Sequence, residues 1–171
     1  MTDFTIEALG TLGHGIARDA KGRPAYIPRT IPGERVRVSG EAPHFELDTI
    51  LEPSPDRIEP VCSHFERCGG CTFQHKSLDA QRRWKRAEVE RAFSKAGMKV
   101  DVGETVGNTP RSRRRVTLTA WREGSSIRLG YNEQGSTERV PISTCPILVP
   151  ELEDALEPLR SVLATVLQGN A

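Results

Sequence analysis

The chain holds four cysteines: Cys62, Cys68 and Cys71 in one run, and Cys145 alone before Pro146. Zinc sites made wholly of cysteine usually arrive as two Cys-x2-Cys pairs. Here there is one such pair, Cys68-Gly69-Gly70-Cys71, with a third cysteine six positions upstream. Three clustered thiolates plus a remote fourth are the usual signature of an iron–sulfur cluster, and plant-type ferredoxins use a run one residue shorter. Zinc and unmetallated thiols stay open at this point, because ligand type narrows the metal without fixing it. Gly69 and Gly70 lack Cβ atoms, so their backbone can wrap closely and offer N–H groups to sulfur. A thioredoxin-like redox pair is the weaker reading, since no βαβ pattern flanks the motif. Disulfides belong to exported or very small domains. With no basic-then-apolar leader, no long apolar run and 171 residues to bury a core, the sequence predicts a reduced, cytoplasmic protein without a membrane span.

Charge is sorted along the chain, although its net value is only +1. Residues 76–99 carry eight Lys/Arg against three acids, and residues 111–128 carry six Arg against one. Residues 1–61 and 150–171 lean acidic. Either basic block alone could be a solvated helix face or an arginine-rich strand. Together they favour a polyanion, with counterion release driving a salt-dependent association.

The elements that must position these groups are legible as α+β. From Phe4 to Leu51 the sequence reads as five short strands, Phe4–Leu9, Gly15–Arg18, Pro24–Ile27, Arg35–Val38 and Phe45–Leu51, broken by glycine, proline and aspartate. Such strands suit a small closed or half-closed, OB-like barrel, an architecture that often binds oligonucleotides. Pro53-Ser54-Pro55-Asp56-Arg57 reads as a stiff linker. Ser77 should cap a helix that Gly97 ends, with Val89, Ala92, Phe93 and Ala96 as its apolar stripe and Trp84 packing elsewhere. Residues 115–121, 127–131 and 137–142 alternate as an antiparallel sheet that brings the chain back to Cys145. Pro150 opens a final helix with a stripe of Leu152, Leu156, Leu159, Leu163 and Val166, which Pro158 should kink or split.

Several stretches carry a family resemblance: Leu12-Gly13-His14-Gly15-Ile16-Ala17, Ile31-Pro32-Gly33-Glu34-Arg35-Val36, Pro53 through Cys62, Cys68-Gly69-Gly70-Cys71 with Gln74-His75, and Cys145-Pro146-Ile147-Leu148. The chain resembles the N-terminal part of S-adenosylmethionine-dependent RNA uracil-5-methyltransferases of the 23S rRNA type, which join a TRAM barrel to a 4Fe-4S cluster region. The resemblance implies a TRAM-like barrel over residues 1–55 and a cluster-binding central domain over 56–171. It implies Cys62, Cys68, Cys71 and Cys145 as cluster ligands. RNA is the implied partner, rRNA first, held by Arg82, Arg83, Lys85, Arg86, Arg113, Arg114 and Arg115 with Gln74 and His75. The family often reads Tyr-x-Tyr-Arg where this chain has Pro110-Arg111-Ser112-Arg113, so stacking there falls to arginine planes, which also stack on bases.

In the family, methyl transfer belongs to a C-terminal S-adenosylmethionine-binding domain with a nucleophilic cysteine. No glycine-rich strand–helix turn of that kind lies within these residues, and all four cysteines are committed to the cluster. The expectation is therefore an RNA-recognition and cluster-bearing part that does not methylate alone and works with a separate or further catalytic domain. A zinc-stabilised RNA-binding adaptor and a ferredoxin-like electron carrier are the competing readings.

Overall fold

The computed structural model describes residues 1–107 and 109–168, with an α+β architecture in two compact units. One unit comprises Met1–Glu59 with Thr72–Thr105, and the other comprises Pro60–Cys71 with Val106–Ala171.

The first unit is built on a curled six-stranded sheet. Its strands are β1 (Thr2–Thr5), β2 (Ala8–Leu9), β3 (Gly15–Arg18), β4 (Pro24–Ile27), β5 (Arg35–Glu41) and β6 (His44–Glu52), in the spatial order β1-β5-β6-β4-β3-β2. All neighbours pair antiparallel except β4 and β6, which meet through the single parallel pair Tyr26 and His44. Period-two alternation decides which residues go inside: on β5, Val36 and Val38 are buried while Arg35 and Arg37 face solvent. They join Phe4, Ile6, Ala17, Ala25 and Ile27 in one core, flanked by Phe45, Leu47 and Ile50. The expected strand Phe4–Leu9 divides in two. Ile6 donates its N–H to the Glu34 carbonyl and Glu7 donates to Ile16, so the chain leaves one partner strand for another at this point.

Helix α1 (Leu78–Lys95) starts as its sequence dictates. The Ser77 hydroxyl accepts the Ala80 N–H at 3.3 Å, and Gly97 takes a φ of +74° just past the helix end. Its apolar stripe is corrected. Val89, Ala92 and Ala96 are exposed and Phe93 is only half-buried; the buried helical residue is Ala80. The reason is that the helix is held by its first turns. Gln81 donates to the Phe73 and Lys76 carbonyls, and Trp84 packs edge-on against Phe73 with ring centres 4.8 Å apart. Trp84 therefore packs away from the expected stripe, as its helical position predicted.

The second unit carries an antiparallel sheet of β7 (Thr119–Glu123), β8 (Ser126–Asn132) and β9 (Arg139–Pro141). Residues ahead of β7 run beside 146–149: Arg111 and Arg113 donate to the carbonyls of Pro146 and Ile147, and Val149 donates to that of Arg113. Helices α2 (Pro150–Asp154) and α3 (Leu156–Gln168) follow, with Pro150 in the first turn of α2. The split falls where Pro158 dictates, because its ring would clash with the carbonyl four residues back, at Asp154. Ile142, Cys145, Leu148 and Leu156 form this unit's core, with Val116, Leu118, Tyr131, Ile147 and Leu152 packed on it. The expected α3 stripe is only partly covered: Leu156 is buried and Leu163 half-buried, while Leu159 and Val166 are exposed.

Candidate metal centre and nucleic-acid surface

All four cysteines lie in the second unit, and none forms a disulfide. The loop carrying the first three is wound on backbone hydrogen bonds, Phe65 N–H to the Cys62 carbonyl and Cys68 N–H to the His64 carbonyl, with Phe65 buried beneath it. Its far end is stitched to the end of β8, where Gly69 donates to the Asn132 carbonyl at 2.9 Å. A Cβ on Gly69 would stand 2.8 Å from that carbonyl oxygen, so this approach requires glycine. Gly70 donates its N–H to Cys68 Sγ at 3.4 Å. Cys145 sits buried in the core of the unit, its N–H donated to Glu153 Oε1 at 3.2 Å and its sulfur 3.7 Å from the Tyr131 hydroxyl.

Burial pushes the Cys62 and Cys68 thiols up from their ordinary value. The other cysteines add to this: Cys62 is raised further by Cys145 and Cys71, and Cys68 by Cys71, Cys62 and Cys145. Burial also raises the Tyr131 phenol, followed by its contact with Cys145. Four thiols in one unit, three of them on a loop that offers an amide N–H to sulfur, are a donor set suited in kind to a soft cationic centre. Among the described residues, however, no group of three or more His, Cys, Asp or Glu side chains stands in a metal-holding arrangement.

The expected RNA-binding residues fall into different settings. On α1, Arg83 forks onto both oxygens of Asp56 at 2.9 Å, Arg82 reaches Asp79, and Arg86 reaches Glu90. Lys85 on the same helix is exposed. Much of this helix's charge is thus answered locally, which its composition alone does not reveal. His75 is buried at 1% exposure, and burial together with the Arg57 cation holds its imidazole down at about 4, favouring the neutral ring. Gln74 is half-buried beside it. In the second unit Arg113 is exposed, its guanidinium 3.5 Å from the Gly70 carbonyl. Arg114 and Arg115 are exposed and have no carboxylate partner among the described residues. With Val116, Thr117 and Leu152 they line an open cavity of about 590 Å3.

Three participants escaped the sequence. Tyr131 was legible only as a strand residue, and Glu153 only as an acid at a helix start. Glu34 is fully buried, accepts the Ile31 N–H at 2.9 Å and is gripped by Arg57 through both carboxylate oxygens. The signal available for that pair was its occurrence in two of the quoted motifs, Ile31-Pro32-Gly33-Glu34 and Pro55-Asp56-Arg57.

No family model matches the chain. An uncharacterized RNA methyltransferase of Caulobacter vibrioides is 40% identical over 170 residues, which is 98% of this chain and 41% of the relative. One from Mesorhizobium japonicum is 43% identical over 159 residues, covering 93% of the chain and 38% of the relative. A 23S rRNA (uracil(1939)-C(5))-methyltransferase of Pectobacterium atrosepticum is 36% identical over 169 residues, covering 94% and 37%. The chain spans about two fifths of the length of these curated relatives. Over nearly its whole length it is therefore a homologue of the N-terminal part of RNA methyltransferases, among them enzymes named for uracil-5 methylation of 23S rRNA.

Proposed function

We propose that the chain is the RNA-recognition and 4Fe-4S-binding portion of a 23S rRNA-type uracil-5 methyltransferase. In this reading residues 1–55 are a TRAM-like, OB-like barrel and residues 56–171 a cluster-binding central domain. The observation that carries it is the gathering of Cys62, Cys68, Cys71 and Cys145 into one unit from segments more than seventy positions apart, with Cys71 and Cys145 close enough to add to the burial that raises the Cys62 and Cys68 thiols. Those four residues would hold the cluster, and Gly70 N–H would hydrogen-bond a ligand sulfur. When bound, the cluster supplies a compact cationic iron core that satisfies four thiolates and ties the loop at 62–71 to the segment at 145. Its role is architectural.

RNA capture falls to the cations. Arg113, Arg114 and Arg115 lead it, because none is held by a carboxylate among the described residues; Arg82, Arg83, Lys85 and Arg86 add to it where RNA phosphate displaces their local partners. Gln74 and buried His75 contribute by shaping the loop ahead of α1. S-adenosylmethionine and the nucleophile belong to a further catalytic domain, and the complex acts in the cytoplasm.

Titration of labelled rRNA fragments at several salt concentrations tests this. Saturable binding should weaken steeply with salt, and Arg114→Ala with Arg115→Ala should together reduce the slope of log affinity against log salt by about 2. Absence of saturable, salt-sensitive binding removes the reading. A zinc-stabilised adaptor would bind RNA equally well but hold zinc, and an electron carrier would be indifferent to RNA.

A further inference from the structure

The outer face of the three-stranded sheet carries an aromatic that the recognition groups named so far do not include. Val116 and Leu118 pack on the core ahead of β7, and within β7 Thr119 and Trp121 share the face of their cross-strand partners Gly130 and Arg128. Thr117, just ahead of β7, lines both the cleft beside Thr119 and the cavity lined by Arg114 and Arg115. On this face Trp121 pairs across the strands with Arg128, and Arg139 lays its guanidinium over the indole at 5.6 Å from the ring centre. Arg128 is answered by Glu123, whereas Arg139 has no carboxylate partner among the described residues. Thr117, Thr119, Gly130 and Asn132 line an open cleft of about 370 Å3 that runs on to Gly69 and Gly70.

We infer that this face is a track for single-stranded RNA, with the Trp121 ring, braced by Arg139, stacking an unpaired base while Arg115 and Arg114 hold backbone phosphate at the other end. Charge complementarity selects a polyanion, since Arg114, Arg115 and Arg139 have no carboxylate partner among the described residues. The indole then distinguishes single strands from duplex, because a base can stack on it only when released from its own pairing. Thr117, Thr119 and Asn132 add hydroxyl and amide groups that a base edge in the cleft would meet. The inference rests on the RNA-binding reading and sharpens it from RNA in general to its unpaired segments.

The test compares an RNA oligomer of about 12 nucleotides, single-stranded or annealed to its complement, on the full chain and its variants. W121A should weaken the single strand about 5- to 100-fold while leaving the duplex within about twofold, and W121F should recover most of the loss. R115A should weaken both forms and lower the salt slope by about 1. A second readout uses the unaltered protein: saturating single strand should quench Trp121 emission, while Trp84, packed on Phe73 with a buried indole N–H, stays constant. Equal loss of both forms in W121A, no loss at all, or no quenching at saturation overturns the track and leaves RNA binding standing. Failure of the unaltered chain to bind either form overturns both.

Discussion

Cutting the Glu34–Arg57 pair should cost the first unit a large share of its stability. The Glu34 side chain has no exposed surface, and its hydrogen-bond partners among the described residues are the Ile31 N–H and the Arg57 guanidinium. Arg57, one-fifth exposed, also donates to the Arg29 carbonyl at 2.8 Å, so the pair clamps the segment after β6 onto the turn before β5. R57A strands a carboxylate out of water with one N–H for company, and removing one partner of a buried pair costs about 3–5 kcal/mol. E34Q keeps one oxygen for the Ile31 N–H and one Arg57 nitrogen but turns an amide NH2 towards Arg57 Nε, so it loses the charge and one hydrogen bond at a cost of about 1–3 kcal/mol. In the double variant E34A/R57A neither charge is stranded, so it should be less destabilised than the sum of its single variants by about 2 kcal/mol. Urea unfolding, followed by fluorescence and far-UV circular dichroism, measures the unaltered chain, R57A, E34A, E34Q and the double variant. Single-variant costs below about 1 kcal/mol, or strict additivity in the double variant, would refute the clamp.

The buried imidazole of His75 gives a pH dependence. Its pKa falls from 6.5 to about 4 on folding, so the unfolded chain takes up a proton that the folded chain refuses. Stability is complete above the unfolded value and falls as pH drops from 6.5 towards 4, by about 3 kcal/mol at ~1.4 kcal/mol per pH unit. Urea midpoints between pH 7.5 and 4.5 should show that decline, and H75Q should flatten it; an unchanged slope in H75Q rules the residue out as its source. Gly69→Ala places a methyl group 2.8 Å from the Asn132 carbonyl oxygen, which should cost about 1–3 kcal/mol and loosen amide exchange at Gly69 and Gly70. An exchange pattern identical to the unaltered chain would contradict that close approach.

How much of this was legible in the sequence differs from element to element. Gly15–Arg18 and Pro24–Ile27 were readable to the residue, because short alternating runs between glycines leave few other options. The strand Phe4–Leu9 was not, since its division depends on carbonyls at Ile16 and Glu34 that local pattern cannot see. Ser77 and Gly97 marked α1 correctly, yet the buried face was misplaced: the i, i+3, i+4 spacing of Val89, Ala92, Phe93 and Ala96 says that a face exists, not that anything covers it. The split at Ala155 followed from the steric reach of Pro158. At the site, the cysteines announced themselves by spacing, whereas the locally answered charges of Arg82, Arg83 and Arg86 and the unanswered ones of Arg114 and Arg115 emerge only in three dimensions. Charge counts treat these arginines alike; neighbours do not.

The most direct test of the central claim is anaerobic purification followed by visible absorption and iron, sulfide and zinc analysis of the unaltered chain beside Cys145→Ser. Broad absorption near ~400 nm with about four irons and four sulfides per chain is expected, and it should be lost when the remote ligand is replaced. A colourless protein holding about one zinc, or one with neither metal nor sulfide, would contradict it.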